Sequence, residues 1–272
     1  MIDLIMVFRD TAKLCHNDPK LIESVKNTIK RQYTLTQQDD IKTGAKRYNT
    51  PFEIEVSGKR TFEAAKAYPG KKVCVLNFAS ATHVGGGVVN GASAQEECLC
   101  RCSTLYFALL EEEDNFHAKH REMLWKKRMN STYNDDCIYS PDVTVFKSDV
   151  KHPKLLPSDE WYNVDVITCA APNLNRFYGS SSVSDAKIRE LHLSRARRIL
   201  ELAKSEGEEV LILGAFGCGA FLNPPEIVAS AWKQVLEDFR YDFEKVEFAV
   251  MSDPDDPTEN YLTFKKVFAD MR

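Results

Sequence analysis

The sequence predicts an α/β sandwich built around a mostly parallel or mixed sheet, and three observations carry that expectation. From about residue 52 onward, short aliphatic runs alternate with amphipathic stretches. Two of the aliphatic runs end in glycine-rich segments, as strands do where an α/β sheet binds a ligand. The chain has 272 residues and is 43% hydrophobic, enough for one large core.

Residues 1–50 come first and read as a polar, helical accessory layer. In DPKLIESVKNTIKRQ, Leu21, Ile22, Val25 and Ile29 recur at helix spacing, with Asp18 placed to cap the helix before Pro19. A shorter helix is expected over Thr11–Cys15. Residues 51–272 then read as the main unit, continuous with the first layer. PFEIEV is a short strand, KRTFEAAKAYPG a helix stopped by Pro69 and Gly70, and KKVCVLNFA a buried strand. A glycine loop leads into a helix expected over 94–113, and a second helix over 117–129. DVTVFK and NVDVITCAAPN are strands, and SDAKIRELHLSRARRILELAKSEG is a long amphipathic helix closed by Gly207. EEVLILGAFGCG is a strand running into glycines, PPEIVASAWKQVLEDF a helix, KVEFAVM the last strand, and 257–271 a final helix. Asn223 and Asp256 each stand three residues before a glutamate with proline next in line, which predicts two capping boxes. That reading assigns the acids around Asp253–Asp256 to turn and cap work, their spacing fitting no calcium loop.

Composition narrows the function classes. Charged residues make up 28% of the chain and the net charge is −4, which argues against a nucleic-acid binder driven by phosphate contacts, and no direct DNA binding is expected. The stretch from His117 to Arg128 is locally basic and reads as a solvated helix face, with an anion-binding patch as the alternative. The apolar run Ile2–Phe8 has no basic lead-in and no small-residue cleavage site, so no secretory signal is expected, and no apolar run approaches a membrane span. Eight cysteines in such a chain are expected as reduced thiols in the cytoplasm. Cys98, Cys100 and Cys102 lack a histidine at ligand spacing and are expected to pack rather than bind metal.

Chemistry concentrates at the two glycine loops. The first is NFASATHVGGG, the second GAFGCGAF, with Gly217 and Gly219 bracketing Cys218. Backbone amides with no side chain in the way can wrap a diphosphate there. Neither loop matches a Walker or dinucleotide-fold pattern, and each alone also fits an ordinary turn. Just past the first loop stand Glu96 and Glu97. On a helix, neighbours differ by about 100° in direction, so one carboxylate can reach a cleft while the other supports it. A glutamate poised between its ionised and neutral forms can protonate a leaving oxygen and then deprotonate a water. Spacing alone equally fits a first helical turn that is rich in acids.

Gly85-Gly86-Gly87, a seven-residue spacer and Gln95-Glu96-Glu97 together resemble the signature of the poly(ADP-ribose) glycohydrolases, a branch of the macrodomain fold. NFASA before the signature, LCRCSTLY after it, and VITCAAPN, LGAFGCGAF and VEFAV further on are similar to the shorter, bacterial-type members, from about residue 70 to the C-terminus. The resemblance implies a macrodomain-like three-layer α/β/α sandwich with a mixed central sheet and ADP-ribose lying across the strand ends. It implies Glu97 as catalytic acid/base for the O-glycosidic ribose–ribose bond, with Glu96 fixing ribose hydroxyls and Gln95 beside them. Gly85, Gly86 and Gly87 would pass under the diphosphate and distal ribose. Gly217, Cys218, Gly219 and Ala220 would cradle the diphosphate from the other side, Phe221 would pack on the distal ribose, and Ser80 is a further candidate for a ribose contact. The implied substrate is poly(ADP-ribose) or an ADP-ribosylated protein, the product ADP-ribose, with no metal and no cofactor. Tyr261 and its neighbours are candidates for the adenine pocket. In place of the Asn-Pro expected before the glycines stands His83-Val84, which leaves substrate preference open. Two other readings share the same loops: a hydrolase of single ADP-ribose units, and a module that binds ADP-ribose without cleaving it.

Overall fold

The computed structural model describes residues 3–175 and 183–271. Its centre is a seven-stranded mixed sheet: β1 (Tyr33–Leu35), β2 (Glu53–Ser57), β3 (Val73–Phe78), β4 (Cys137–Val145), β5 (Tyr162–Cys169), β6 (Val210–Leu213) and β7 (Lys245–Ala249), in the order β1-β4-β5-β3-β6-β7-β2. The pairs from β5 through β3, β6 and β7 to β2 are parallel, and β1 and β4 close the other edge antiparallel. The inner strands β3 and β6 are covered on both faces, which is why VCVLNF and VLIL are almost continuously apolar. Alternation then splits each strand between two cores. Cys74 and Leu76 of β3, Ile167 and Cys169 of β5, and Leu211 and Leu213 of β6 face one core. Val73 and Val75, Val164 and Val166, and Val210 and Ile212 face the other.

The first core is covered by α7 (Asp185–Ser205), α8 (Pro225–Leu236) and α9 (Glu259–Val267), whose Leu200, Trp232 and Phe264 are fully buried. The second is covered by α3 (Thr61–Ala65), α4 (Gln95–Cys102) and α5 (Leu105–Leu109), with α2 (Pro19–Arg31) laid directly against β4 and α1 (Leu4–Asn17) packed outside α4. The result is the expected three-layer α/β/α sandwich. Among the described residues no helix is long and apolar enough to cross a membrane.

Asp18 caps α2 as the sequence predicts, accepting from the amides of Lys20 and Leu21. Four expectations need correction. Residues 1–50 are not helical throughout, because Tyr33–Leu35 pairs with β4 as an edge strand. The helix expected over 94–113 breaks at Ser103. There the chain pairs with Val145, the amides of Phe146 and Lys147 bond to the Cys102 carbonyl, and Ser103 Oγ bonds back to Leu99 O. Tertiary pairing thus overrides helix propensity. The second helix is shorter, α6 (Ala118–Trp125), and is entered through a π-turn at Glu113–His117. Neither proline-marked capping box forms as drawn. Asn223 lies outside the cap of α8, and α9 is capped by Thr258 rather than Asp256.

The outer layer braces the inner one. Thr11 Oγ1 of α1 donates to the Arg101 carbonyl of α4 at 2.6 Å, and Lys147 Nζ donates to Val7 O at 3.1 Å. Gly91 has φ +79°, and a Cβ there would stand 3.1 Å from Ile5 Cγ1. The first helix therefore sits directly on the turn that follows Gly85–Gly87.

Candidate functional site

A cavity of about 430 Å³ opens at the carboxyl ends of β3, β6, β7 and β2. Its floor includes Ser80, Gly86, Gln95, Glu96 and Glu97, and its facing wall Gly217, Gly219, Ala220 and Phe221. Two segments about 120 residues apart in sequence thus meet because β3 and β6 are hydrogen-bonded neighbours.

Each residue of the Gln-Glu-Glu run is tied to a different part of this floor. Gln95 Oε1 accepts from the Phe78 amide at 2.9 Å, and its Nε2 donates to Leu76 O at 2.8 Å and Thr61 Oγ1 at 3.1 Å. Gln95 is thus a clamp that fixes the start of α4 against β3, and its amide is already engaged. Glu96 Oε2 accepts from the Ser80 amide at 2.7 Å and its Oε1 from Asn77 Nδ2 at 3.3 Å. Glu97 Oε1 accepts from the Gly87 amide at 2.8 Å, while its Oε2 has no partner among the described residues. Both glutamates are buried at this helix start. Burial of the Glu96 side chain, 3% exposed, pushes its pKa up to about 8, against the opposing pull of the Ser80 and Asn77 hydrogen bonds.

The Glu96 shift has a sign that can be tested. Its ordinary value is 4.5, so between about pH 4.5 and 8 the folded chain holds a proton that the unfolded chain has lost. Stability from this group is complete below pH 4.5 and is lost as pH rises through about 8, at no more than roughly 1.4 kcal/mol per pH unit. Glu96→Gln is expected to flatten the fall in stability between pH 5 and 8, read from urea midpoints at several pH values. An unchanged slope would assign the effect to another group.

The glycines differ in why they are glycines. Gly85 and Gly86 have φ of +61° and +57°, in the left-handed region that side chains disfavour. A Cβ on Gly86 would stand 2.5 Å from Glu97 Oε1 and 3.0 Å from Glu96 Oε2. Gly85 turns away from the cavity, where a Cβ would meet Tyr106 Cδ2 at 2.6 Å, and Gly87 backs onto Ala92. In the second loop, Gly217 has φ +79°, and a Cβ there would collide with Ala171 and Asn223, each at 2.6 Å. Gly219 has nothing within 4 Å of that point.

Of the residues predicted from sequence, Gly85, Gly87 and Cys218 do not line the cavity. The Cys218 side chain packs against the first core, and burial, with Glu226 adding to it, pushes its thiol up to about 12. Any contribution from Cys218 is therefore through its backbone. His83 is exposed and bonded to Thr82 Oγ1 at 2.9 Å, also outside the cavity wall.

Sequence reasoning missed Asn223 as an organiser. Its Nδ2 donates to the carbonyls of Pro172 at 2.7 Å, Gly217 at 3.0 Å and Phe221 at 3.4 Å, and its Oδ1 meets His192 Nε2 at 2.9 Å. Burial lowers the His192 pKa to about 4, so the neutral ring donates to Asn223 at ordinary pH. The far end of the cavity was missed too. Lys59 and Arg60 follow β2, Met251 follows β7, and Thr258 and Asn260 belong to the start of α9. Tyr261, the sequence candidate there, packs toward the core instead, and its neighbour Asn260 lines the wall. Lys59 Nζ is held by buried Glu247 at 3.3 Å, and Arg60 by Asp149 at 3.9 Å.

The family described as microbial-type PARG, catalytic domain, matches residues 13–148. The fold is similar to the poly(ADP-ribose) glycohydrolase of Thermomonospora curvata, with a TM-score of 0.81 and 29% identity over 97% of this chain and 99% of that one. A structure of that glycohydrolase bound to the inhibitor ADP-HPD gives 0.78 and 28%, over 97% and 98%. The poly(ADP-ribose) glycohydrolase of Deinococcus radiodurans in complex with ADP-ribose gives 0.77 and 31%, over 91% and 97%. No curated protein matches the chain.

Proposed function

Because the chain belongs to the microbial-type PARG (poly(ADP-ribose) glycohydrolase) catalytic-domain family, we propose that it hydrolyses the O-glycosidic ribose–ribose bonds of poly(ADP-ribose) and releases ADP-ribose. One observation carries the assignment of the chemistry. Glu97 has one oxygen fixed by the Gly87 amide and the other without a protein partner, in a cavity shared by both glycine loops. Glu97 protonates the departing ribose oxygen, and the same carboxylate then removes a proton from the water that attacks the oxocarbenium-like carbon. Glu96, with its raised pKa, holds a proton near neutral pH and donates it to a ribose hydroxyl. Ser80 and Gly86 lie against that ribose, and Phe221 packs on its other side. The backbone of Gly217–Ala220 takes the diphosphate, held in shape by Asn223.

On this reading residues 1–50 are an accessory layer and 51–272 the catalytic unit, folding as one body. The place of action is the cytoplasm, in keeping with eight free cysteines. The deciding experiment is incubation with poly(ADP-ribose) and chromatography of the products. The expected result is accumulation of free ADP-ribose. Chains that stay intact while bound would make the protein a reader, and release only from mono-modified protein would shift the substrate class.

A further inference from the structure

Residues 117–128 carry five cationic side chains against one carboxylate, in a chain whose net charge is −4. His117 and His120 point into the protein, which leaves the cations on the outside of α6 and of the turn after it. Arg121 is paired with Glu113, and Lys126 with Glu122. Lys119, Lys127 and Arg128 are exposed and form no ion pair among the described residues. Between them stands Trp125, 81% exposed, more than any other exposed large apolar side chain of the described chain. A lone surface apolar residue needs no explanation, but a bare indole flanked by free cations has the make-up of a stacking platform for an anionic, base-bearing strand.

The location of this surface gives it meaning. His120 Nδ1 lies 3.2 Å from the Ala81 carbonyl and Arg121 donates to the Thr82 carbonyl at 2.7 Å, so α6 is pinned to the segment that leads into Gly85–Gly87. Phe221 stands on the facing wall, and the ring of Tyr133, a few residues past the basic turn, lies 6.3 Å from its ring. The surface therefore borders the cavity at the end occupied by Ser80, Gly86 and Phe221. The other end is built on β7 and β2, two and three strands away from β3 in the sheet.

We infer that α6 and its following turn form a docking surface for the polymer that remains after the terminal ADP-ribose is cut off. The inference rests on the proposed placement of the reactive bond at Glu97. With that bond at the β3 end, the adenosine of the terminal unit fills the cavity toward β7 and β2. The next unit then emerges over residues 81–83, onto α6. Each such unit carries an adenine and a diphosphate. Trp125 stacks on the adenine while Lys119, Lys127 and Arg128 take the phosphates.

The test is the triple variant Trp125→Ala, Lys127→Ala, Arg128→Ala, all exposed positions, with a thermal melt to check the fold. On long poly(ADP-ribose), KM is expected to rise about tenfold with kcat unchanged. The salt dependence of KM should weaken as phosphate contacts are lost. The Kd for free ADP-ribose, which has no second unit, should not move. An unchanged polymer KM overturns the inference, as does an ADP-ribose Kd that weakens by the same factor. Oligoadenylate that binds wild type as tightly as the polymer, with hydrolysis unaffected in the variant, would assign the surface to RNA instead. Filter binding of the polymer to Glu97→Gln, with and without the three substitutions, reads the surface independently of turnover. A wild type that releases no ADP-ribose sinks the activity, and unchanged filter binding sinks the surface.

Discussion

Glutamine at position 97 is expected to lower kcat on poly(ADP-ribose) by about 10³-fold while ADP-ribose binding changes by no more than about threefold. The geometry separates the two effects. The carboxamide oxygen of glutamine can still accept from the Gly87 amide, as Glu97 Oε1 does at 2.8 Å, so the glycine loop keeps its anchor. What is lost is the oxygen that has no protein partner, because an amide can neither deliver a proton to the leaving ribose oxygen nor accept one from water. Glu96 cannot substitute, since its bonds to the Ser80 amide and Asn77 anchor it beside the ribose hydroxyl it holds rather than at the leaving oxygen. Single-turnover rates, with calorimetry for ADP-ribose, measure the two quantities. A variant that retains more than a tenth of wild-type turnover would remove Glu97 from the chemistry.

Alanine at position 86 separates activity from stability in a different way. The residue has φ +57°, which costs a side-chain-bearing residue about 1–2 kcal/mol. The new Cβ would also fall 2.5 Å from Glu97 Oε1. That oxygen is the tip of a side chain and can move aside, so the fold loses little beyond the backbone term. The displaced carboxylate, however, leaves the Gly87 amide and loses its aim. Misplacement of a catalytic group by about 1 Å is enough for a roughly 10²-fold loss. Gly86→Ala should therefore melt only slightly below wild type yet turn over about 10²-fold more slowly. Gly44→Ala serves as the control, because nothing stands within 4 Å of its Cβ position, its backbone lies outside the left-handed region and it is not part of the cavity lining. Equal activities for the two variants would show that Gly86 is not holding Glu97 in place.

Much of this site was legible in the sequence because the decisive residues are local. Gly85–Gly87 and Gln95–Glu97 are separated by a single turn, so a fixed spacing places the acids beside the loop. The buried strands announced themselves through continuous aliphatic runs, and so did the amphipathic α7 and α8. What escaped was set by partners distant in sequence. Three residues at Tyr33–Leu35 carry no signal of their own and become a strand only against β4. Ser103 breaks a good helical pattern because residues 102–104 pair with 144–147. Asn223 looked like a helix cap, since only the folded chain brings the Pro172 and Gly217 carbonyls to its amide. Lys59, Met251 and Asn260 share a cavity wall because β2 lies beside β7, a neighbour relation that no short window of sequence encodes.

The contact between Ile5 and Gly91 sets the stiffness of the reaction centre from outside it. The first helix backs the turn after Gly85–Gly87 and, through Thr11, the end of the helix that begins at Gln95. None of these helix residues lines the cavity. Adaptation to heat or cold can therefore act on this remote seam, with a bulkier or slimmer side chain at position 5 tightening or loosening the hinge between loop and acid. The groups that recognise the nucleotide would go untouched, and catalytic tempo and ligand selectivity become separately adjustable traits.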